Sequence, residues 1–281
     1  MTNFRNASIL FLLLFFPAES FSQIRLQTPD VESVLYLGKS KNQPLLVGLG
    51  GSEGGNAWTS DYWKKTRDQF IENGFAFLAL GYFGAPGTPE TLNNIEIEDV
   101  YHAIKTASKN KLINKNRIAI IGGSRGADLA LLIGSYYKDI DCVVSIVGSS
   151  AVFPGHTNHF STSCWTYQNK ELPFVPVNDE AVPFLMKRDL RSAFEAMLKD
   201  TLAVEKATIK VEQINGTVLF LSATKDEICP STPMAEMMTE RLKANNFKFV
   251  YEHKTIEGRH SEPLKHFDLI HKFLETNFLK K

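Results

Sequence analysis

The chain lacks most of the features that mark a specialised class of protein. It has three cysteines in 281 residues, too few for a disulfide framework, and no Cys/His spacing of the kind that holds zinc. Excess charge is missing too: 31 basic residues cancel 31 acidic ones. No run of like charge stands out, so neither a nucleic acid nor a membrane surface is suggested as partner. Internal repeats and low-complexity tracts are absent. Beyond residue 22 no apolar run approaches the roughly 20 residues of a membrane span. What remains is 43% hydrophobic and 22% charged, the make-up of an ordinary globular protein, with a length that suits one large α/β domain. No motif implies a cofactor or a bound metal.

The N-terminus reads as an address rather than as part of the fold. Arg5 carries a positive charge, residues 9–16 are unbroken apolar sequence, and Ser20 and Ser22 are small residues at the positions a signal peptidase reads. This predicts a signal peptide over residues 1–22, cleaved before Gln23. The mature protein is then expected to be exported, to the periplasm in a Gram-negative cell and otherwise to the medium, with no stable membrane span. For such a compartment three cysteines are an awkward number. Cys142 reads as a small core residue, while Cys164 and Cys229 are the pair able to join.

After residue 23 the pattern is one of apolar runs alternating with helical periodicity. Strands are predicted at 44–49, 75–80, 118–121, 142–147, 217–222 and 247–252, as short runs suited to burial on both faces. Helices are predicted from Trp58 to Ile71, stopped by Asn73-Gly74, then at 95–109, after residue 124, at 191–199, 232–244 and 264–278. Such alternation predicts a doubly wound, mainly parallel sheet with right-handed crossovers. It pauses at 148–214, where Pro154, Pro173, Pro176 and Pro183 mix with Phe153, Phe160, Trp165, Tyr167 and Phe174. This stretch reads as a cap insertion whose aromatics are expected to line an apolar pocket.

The most informative segment is Gly122-Gly123-Ser124-Arg125-Gly126, between the strand at 118–121 and a helix. Glycines two residues either side of a serine, in strand–turn–helix context, are the mark of a nucleophile elbow, where larger side chains would clash. A glycine-rich turn with an idle serine is the competing reading. An attacking serine needs a base and an acid to orient it, in the chain order Ser, Asp or Glu, His. Asp226, in the loop after the strand at 217–222, is the predicted acid, with Glu227 in reserve. His260, between the last strand and the last helix, is the predicted base, with His253 second. His102, His266 and His271 read as surface or packing residues, and His156 and His159 as cap residues able to touch substrate. Four glycines in the loop at 50–55 allow close backbone approach, so the N–H groups of Ser52 and Arg125 are the predicted oxyanion hole. Arg125 also reads either as a guide for anionic substrates or as a plain surface arginine.

Several blocks together carry a resemblance. Leu49-Gly50-Gly51-Ser52-Glu53-Gly54-Gly55, Gly81-Tyr82-Phe83-Gly84-Ala85-Pro86-Gly87 and residues 121–135 resemble the bacterial branch of the acyl-CoA thioester hydrolase / bile acid-CoA:amino acid N-acyltransferase (BAAT) C-terminal family. Trp165-Thr166-Tyr167, Leu172-Pro173, Val211-Glu212, residues 226–231 and residues 258–260 are similar to its later blocks. The resemblance spans roughly residue 43 to the end and implies an α/β-hydrolase fold with a triad at Ser124, Asp226 and His260. Family acyltransferases use a cysteine nucleophile, so Ser124 resembles the hydrolase branch. The chain departs from the family in having no room for the immunoglobulin-like domain of eukaryotic members, and in carrying Cys229 and Arg259 where tryptophan and a small residue are common. The expectation is a serine hydrolase acting on a small acyl ester or thioester; an idle hydrolase-shaped binding protein, or an acyltransferase with the same triad, is the alternative.

Overall fold

The computed structural model describes residues 21–280, so most of the predicted signal segment lies outside the described residues. In chain order the elements are β1 (Ser22–Leu26), β2 (Glu32–Leu37), β3 (Gln43–Leu49), α1 (Asp61–Glu72), β4 (Ala76–Gly81), β5 (Ile95–Glu96), α2 (Ile97–Ala107), β6 (Ile113–Gly123), α3 (Arg125–Tyr136) and β7 (Cys142–Ile146). Then follow β8 (Trp165–Tyr167), β9 (Lys170–Glu171), α4 (Val182–Met186), α5 (Leu190–Met197), α6 (Thr201–Ala207), β10 (Thr217–Ala223), α7 (Ser231–Ala244), β11 (Tyr251–Ile256) and α8 (Phe267–Leu274).

The apolar runs form strands because both of their faces are covered. In β3, Leu45, Val47 and Leu49 pack on one side of the sheet with α2, α3 and α7, while Leu46 packs on the other with α1 and α8. β10 divides in the same way, Val218 and Phe220 against Leu219 and Leu221. Side chains alternate between faces at every residue, so a strand that is apolar throughout is stable only between two helical layers. Each fully buried Leu, Ile or Phe in these layers contributes about 1.5–3 kcal/mol. The result is the expected three-layer α/β architecture, and among the described residues no helix is long and apolar enough to cross a membrane.

The sheet has eight strands in the order β1-β2-β4-β3-β6-β7-β10-β11. β2 runs antiparallel to β1 and β4, and the strands from β4 to β11 are parallel. From β3 the chain first moves one way, to β4, and later the other way, through β6. The carboxyl ends of β3 and β6 therefore flank the point where strand order reverses, the place where an open α/β sheet leaves a crevice. The glycine loop and the Ser124 turn are the segments that leave these two ends.

Two sequence expectations are corrected. The last strand spans Tyr251–Ile256 instead of 247–252; it lies at the sheet edge and is only half-buried, so Phe247 and Phe249 gave the stronger apolar signal while packing beside the strand. The aromatics of the cap do not act together. Phe153 and Phe160 line the cavity described below. Trp165 is fully buried with its ring 5.8 Å from Tyr82, Tyr167 lies against Tyr136, and Phe174 packs on the main core. β8 explains the difference, since it joins β5 in a small second sheet and draws this part of the insertion onto the body of the domain. A further part of residues 148–214, with α5 and α6, forms its own apolar cluster around Phe153, Val175 and Met197, while Val152, Ile209, Val211 and Ile214 join the main core.

The backbone approach at the Ser124 turn leaves no room for a side chain on its flanks. A Cβ on Gly122 would lie 2.0 Å from the Gly126 carbonyl oxygen, and one on Gly126 would lie 2.2 Å from that of Gly50. Both obstacles are backbone and cannot swing away. Gly122→Ala should therefore cost about 3 kcal/mol or more, the upper end of overpacking penalties. Gly74→Ala, where φ is +90° but the space is open, should cost only about 1–2 kcal/mol from left-handed strain. Urea unfolding midpoints of the two variants check the ranking.

Candidate active site

Ser124 sits at φ 53° and ψ −123°, outside the allowed regions for an ordinary residue, between the end of β6 and the first turn of α3. Its N–H donates to the Ile146 carbonyl at 2.8 Å, which locks the turn to β7. The strain aims the hydroxyl away from the sheet. His260 Nε2 lies 3.1 Å from Ser124 Oγ, and His260 Nδ1 lies 2.8 and 2.9 Å from the two oxygens of Asp226. An ionised carboxylate only accepts hydrogen bonds, so Nδ1 carries the ring proton and Nε2 is left to accept from the serine hydroxyl.

Asp226 is buried just past the end of β10, and hydrogen-bond donors on both carboxylate oxygens hold it there. Ile228 and Cys229 N–H donate to Oδ1 at 3.0 and 3.1 Å, Ser231 Oγ donates to Oδ2 at 2.6 Å, and His260 completes the set. Burial pushes the carboxyl up, but the His260 hydrogen bond and charge, with Ser231 and the Cys229 N–H, outweigh it and hold Asp226 below the usual carboxylate range. Glu227, the reserve acid, instead accepts the His260 backbone N–H at 2.9 Å and pairs with Arg259 at 3.0 Å. It fixes the histidine loop and stands apart from the imidazole ring. His253, the second-choice base, bonds the buried Ser222 hydroxyl at 2.7 Å within the β10–β11 pair.

The two predicted oxyanion donors both line the cavity beside Ser124. The Arg125 N–H opens α3 and is one of the helix donors with no partner inside the helix. In the glycine loop, Gly51 is the residue pressed against the serine: a Cβ there would lie 3.2 Å from Ser124 Cβ. The Gly51 N–H is occupied by Glu53 Oε1 at 3.0 Å, so Ser52 supplies the next N–H of the loop. Tyr82 OH steadies the loop by donating to the Gly50 carbonyl at 2.7 Å.

Over these groups lies a cavity of about 460 Å³, walled by Trp58, Trp63, Ile146, Phe153, Phe194 and Met197 among others. His156 also lines it, while His159 is exposed outside its wall. Arg125 is not the surface residue that one sequence reading allowed. Only 9% of it is exposed, and its guanidinium donates to Asp128 at 3.3 Å. The cysteines are all free; Cys164 donates to the Pro154 carbonyl, and Cys229 packs between Val147 and Asp226. Sequence reasoning missed Ser231, Gly51, Glu53 and Asp128. Only the close spacing of Asp128 to Ser124 on one helical turn gave any signal of its place.

Comparison with known proteins shows what the chain is similar to. A model of the family described as BAAT / acyl-CoA thioester hydrolase C terminal matches residues 95–257, a span that includes Ser124 and Asp226 and ends just before His260. Acyl-coenzyme A thioesterase 1 of Rattus norvegicus is 29% identical over 172 residues, which is 61% of this chain and 39% of the relative. The chain thus spans about two-fifths of the length of that relative. Among solved structures, the esterase Pf2001 of Pyrococcus furiosus superposes with a TM-score of 0.63 at 17% identity, over 92% of this chain and 93% of that one. Acylaminoacyl peptidase of Pyrococcus horikoshii gives 0.66 at 14% identity over 98% of this chain and 44% of that one. At such identities these two likenesses establish the α/β-hydrolase fold.

The depressed ionisation of Asp226 makes a stability prediction. A carboxyl whose folded pKa lies below its unfolded value of about 3.9 stabilises the fold fully above that value, and the contribution fades as pH falls through the folded one. Asp226→Asn should lower Tm at pH 7, and its gap to the parent protein should narrow below about pH 4. Thermal melts of both across that range are the check; a gap that is constant or widens in acid contradicts the assignment.

Proposed function

The chain belongs to the BAAT / acyl-CoA thioester hydrolase C-terminal family, and from that premise we propose that it is a serine hydrolase that cleaves carboxylic ester or acyl thioester bonds through an acyl-enzyme on Ser124. The observation that carries this reading is the unbroken hydrogen-bond line from Ser124 through His260 to a buried, ionised Asp226, opening into an apolar cavity. His260 Nε2 takes the hydroxyl proton as Oγ attacks the carbonyl carbon. The oxygen that becomes negative is met by the N–H groups of Arg125 and Ser52, and Asp226 stabilises the imidazolium. Nε2–H then protonates the departing alkoxide or thiolate. Water repeats the sequence on the acyl-enzyme, giving the carboxylic acid and restoring the serine hydroxyl.

The cavity also guides the reading of substrate. Its one lysine or arginine, Arg125, already faces a carboxylate, so the phosphates of a CoA nucleotide find no free cation in the wall. The apolar lining suits an acyl or aryl group. Residues 1–22 are read, as above, as an export signal, and a compartment outside the cytoplasm holds little acyl-CoA. Simple esters are accordingly the favoured substrates over the CoA thioester of the same acyl chain.

Purified protein should be labelled by an organophosphonate serine probe and should hydrolyse p-nitrophenyl esters. Ser124→Ala and His260→Ala, still folded, should lose on the order of 10⁴-fold in kcat. A folded Ser124→Ala variant with full activity would end the mechanism. kcat/KM for a matched ester and acyl-CoA decides the substrate, since a clear preference for the thioester overturns the ester reading. N-terminal mass spectrometry of exported protein should find Gln23 first.

A further inference from the structure

Among the cavity-lining residues Arg125 is the one lysine or arginine, beside the carboxylates of Glu53 and Asp128, and the proposed chemistry uses only its backbone. The side chain is nine-tenths buried, and what remains accessible faces the cavity. Its Cζ lies 5.7 and 5.8 Å from the ring centres of Phe153 and Phe194, which fix it from the cap side. Nη1 donates one long bond, 3.3 Å, to Asp128 Oδ2. The other guanidinium donors have no protein acceptor among the described residues. Asp128 is fully buried, and its second oxygen takes the Ser149 N–H at 2.6 Å.

A guanidinium offers five donors, and those of Arg125 that Asp128 does not take face the cavity. An occupant of the cavity that carries an acceptor can meet them with a charge-assisted hydrogen bond. The charge balance selects which acceptor. Arg125 and Asp128 cancel, and Glu53 adds a second carboxylate to the lining, so a substrate carboxylate would meet uncompensated negative charge, whereas a hydroxyl or ether oxygen adds no charge. Resting on the hydrolase reading above, we propose that Arg125 is a specificity-determining residue: its side chain donates to an uncharged oxygen in the body of the substrate. The site then prefers esters bearing a hydroxyl or ether oxygen to plain hydrocarbon esters and to carboxylated ones. Asp128 is the positioning residue that holds the guanidinium and cancels its charge.

The test separates binding from turnover. Dissociation constants are measured by NMR titration on the Ser124→Ala protein for methyl hexanoate, for methyl hexanoates hydroxylated at each chain carbon, and for adipic acid monomethyl ester. A second arm moves the hydroxyl to the alcohol half, comparing butyl acetate with hydroxybutyl acetates. At one position a hydroxylated ester should bind at least about tenfold tighter than its parent, the advantage expected of a hydrogen bond to a charged donor. Adding Arg125→Met should erase that ratio. So should the pair Arg125→Met with Asp128→Asn, which leaves no lone buried charge and guards against a variant that fails to fold. Asp128→Asn alone unmasks the cation, and the carboxylated ester should then gain about tenfold or more on the hydroxylated one. Plain esters binding as tightly as every hydroxylated one, a ratio that survives both Arg125 variants, or no binding of any ester each overturns the proposal. If the binding ratio holds while the Ser124 protein turns over no ester, the hydrolase reading fails and the role of Arg125 stands.

Discussion

The contact on which the site depends is one of backbone against backbone. Gly122, Gly126 and Gly50 bring the ends of β3 and β6 and the start of α3 so close that no Cβ fits between them. That closeness is what forces Ser124 to a positive φ, and a strained residue persists only where its surroundings over-determine it. Here they do: the Ser124 N–H is bound to β7, the Ser124 carbonyl accepts from the first turn of α3, and the flanking glycines are wedged. The same approach presses Gly51 against Ser124, so the glycine loop and the serine are positioned by one packing event. The strain is offset by the buried sheet beneath.

A second anchor is Asp226, and it links parts of the molecule that are distant in sequence. Its carboxylate gathers the start of α7 through Ser231 and the histidine loop through His260, and its own carbonyl accepts from Arg191 of α5 at 2.7 Å. The cap is thereby tied to the acid loop by a charge-assisted bond. Val147, whose φ of 50° is unusual for a β-branched side chain, directly follows β7 next to this loop and donates its N–H to the Leu221 carbonyl. Two strained residues, Ser124 and Val147, thus flank the cavity floor, each held by a hydrogen bond to a neighbouring strand.

How much of this was legible in the sequence follows from which forces leave a local trace. Burial on both faces makes strands such as 44–49 and 217–222 read as unbroken apolar runs, and they were found nearly to the residue. β1 stands at the antiparallel edge and left no comparable run, β2 carries the four-residue run Val34–Leu37 that was not taken up, and β11 is a half-exposed edge whose apolar neighbours drew the assignment four residues early. The elbow was legible because its geometry demands glycine at fixed offsets, and the loop positions of Asp226 and His260 because strand ends bound them. Ser231 and Asp128 were not, since hydroxyls and carboxylates on helices are usually solvated and only tertiary packing gives these two their partners. The cap aromatics misled for a related reason. Composition shows that large rings must be buried, and says nothing of whether they are buried against a cavity or against the core.

The arrangement divides labour between two layers of different rigidity. The serine, acid and histidine all stand on loops leaving parallel strands, each fixed by bonds to the sheet or to its neighbouring helices. One side of the cavity wall comes from residues 148–214, where Phe153, Phe194 and Met197 pack in a small cluster of their own. Changes in that cluster alter the shape of the cavity while the Ser124–His260–Asp226 line stays fixed to the sheet; near the site the layers are joined by the Arg191 bond, the Ser149 N–H on Asp128 and the Arg125 side chain. Arg125 belongs to both: its backbone begins the helix behind the serine, and its guanidinium lies between cap rings and a core carboxylate. The position next to Ser124 thus joins the turn that carries the serine to the wall of the cavity in one residue.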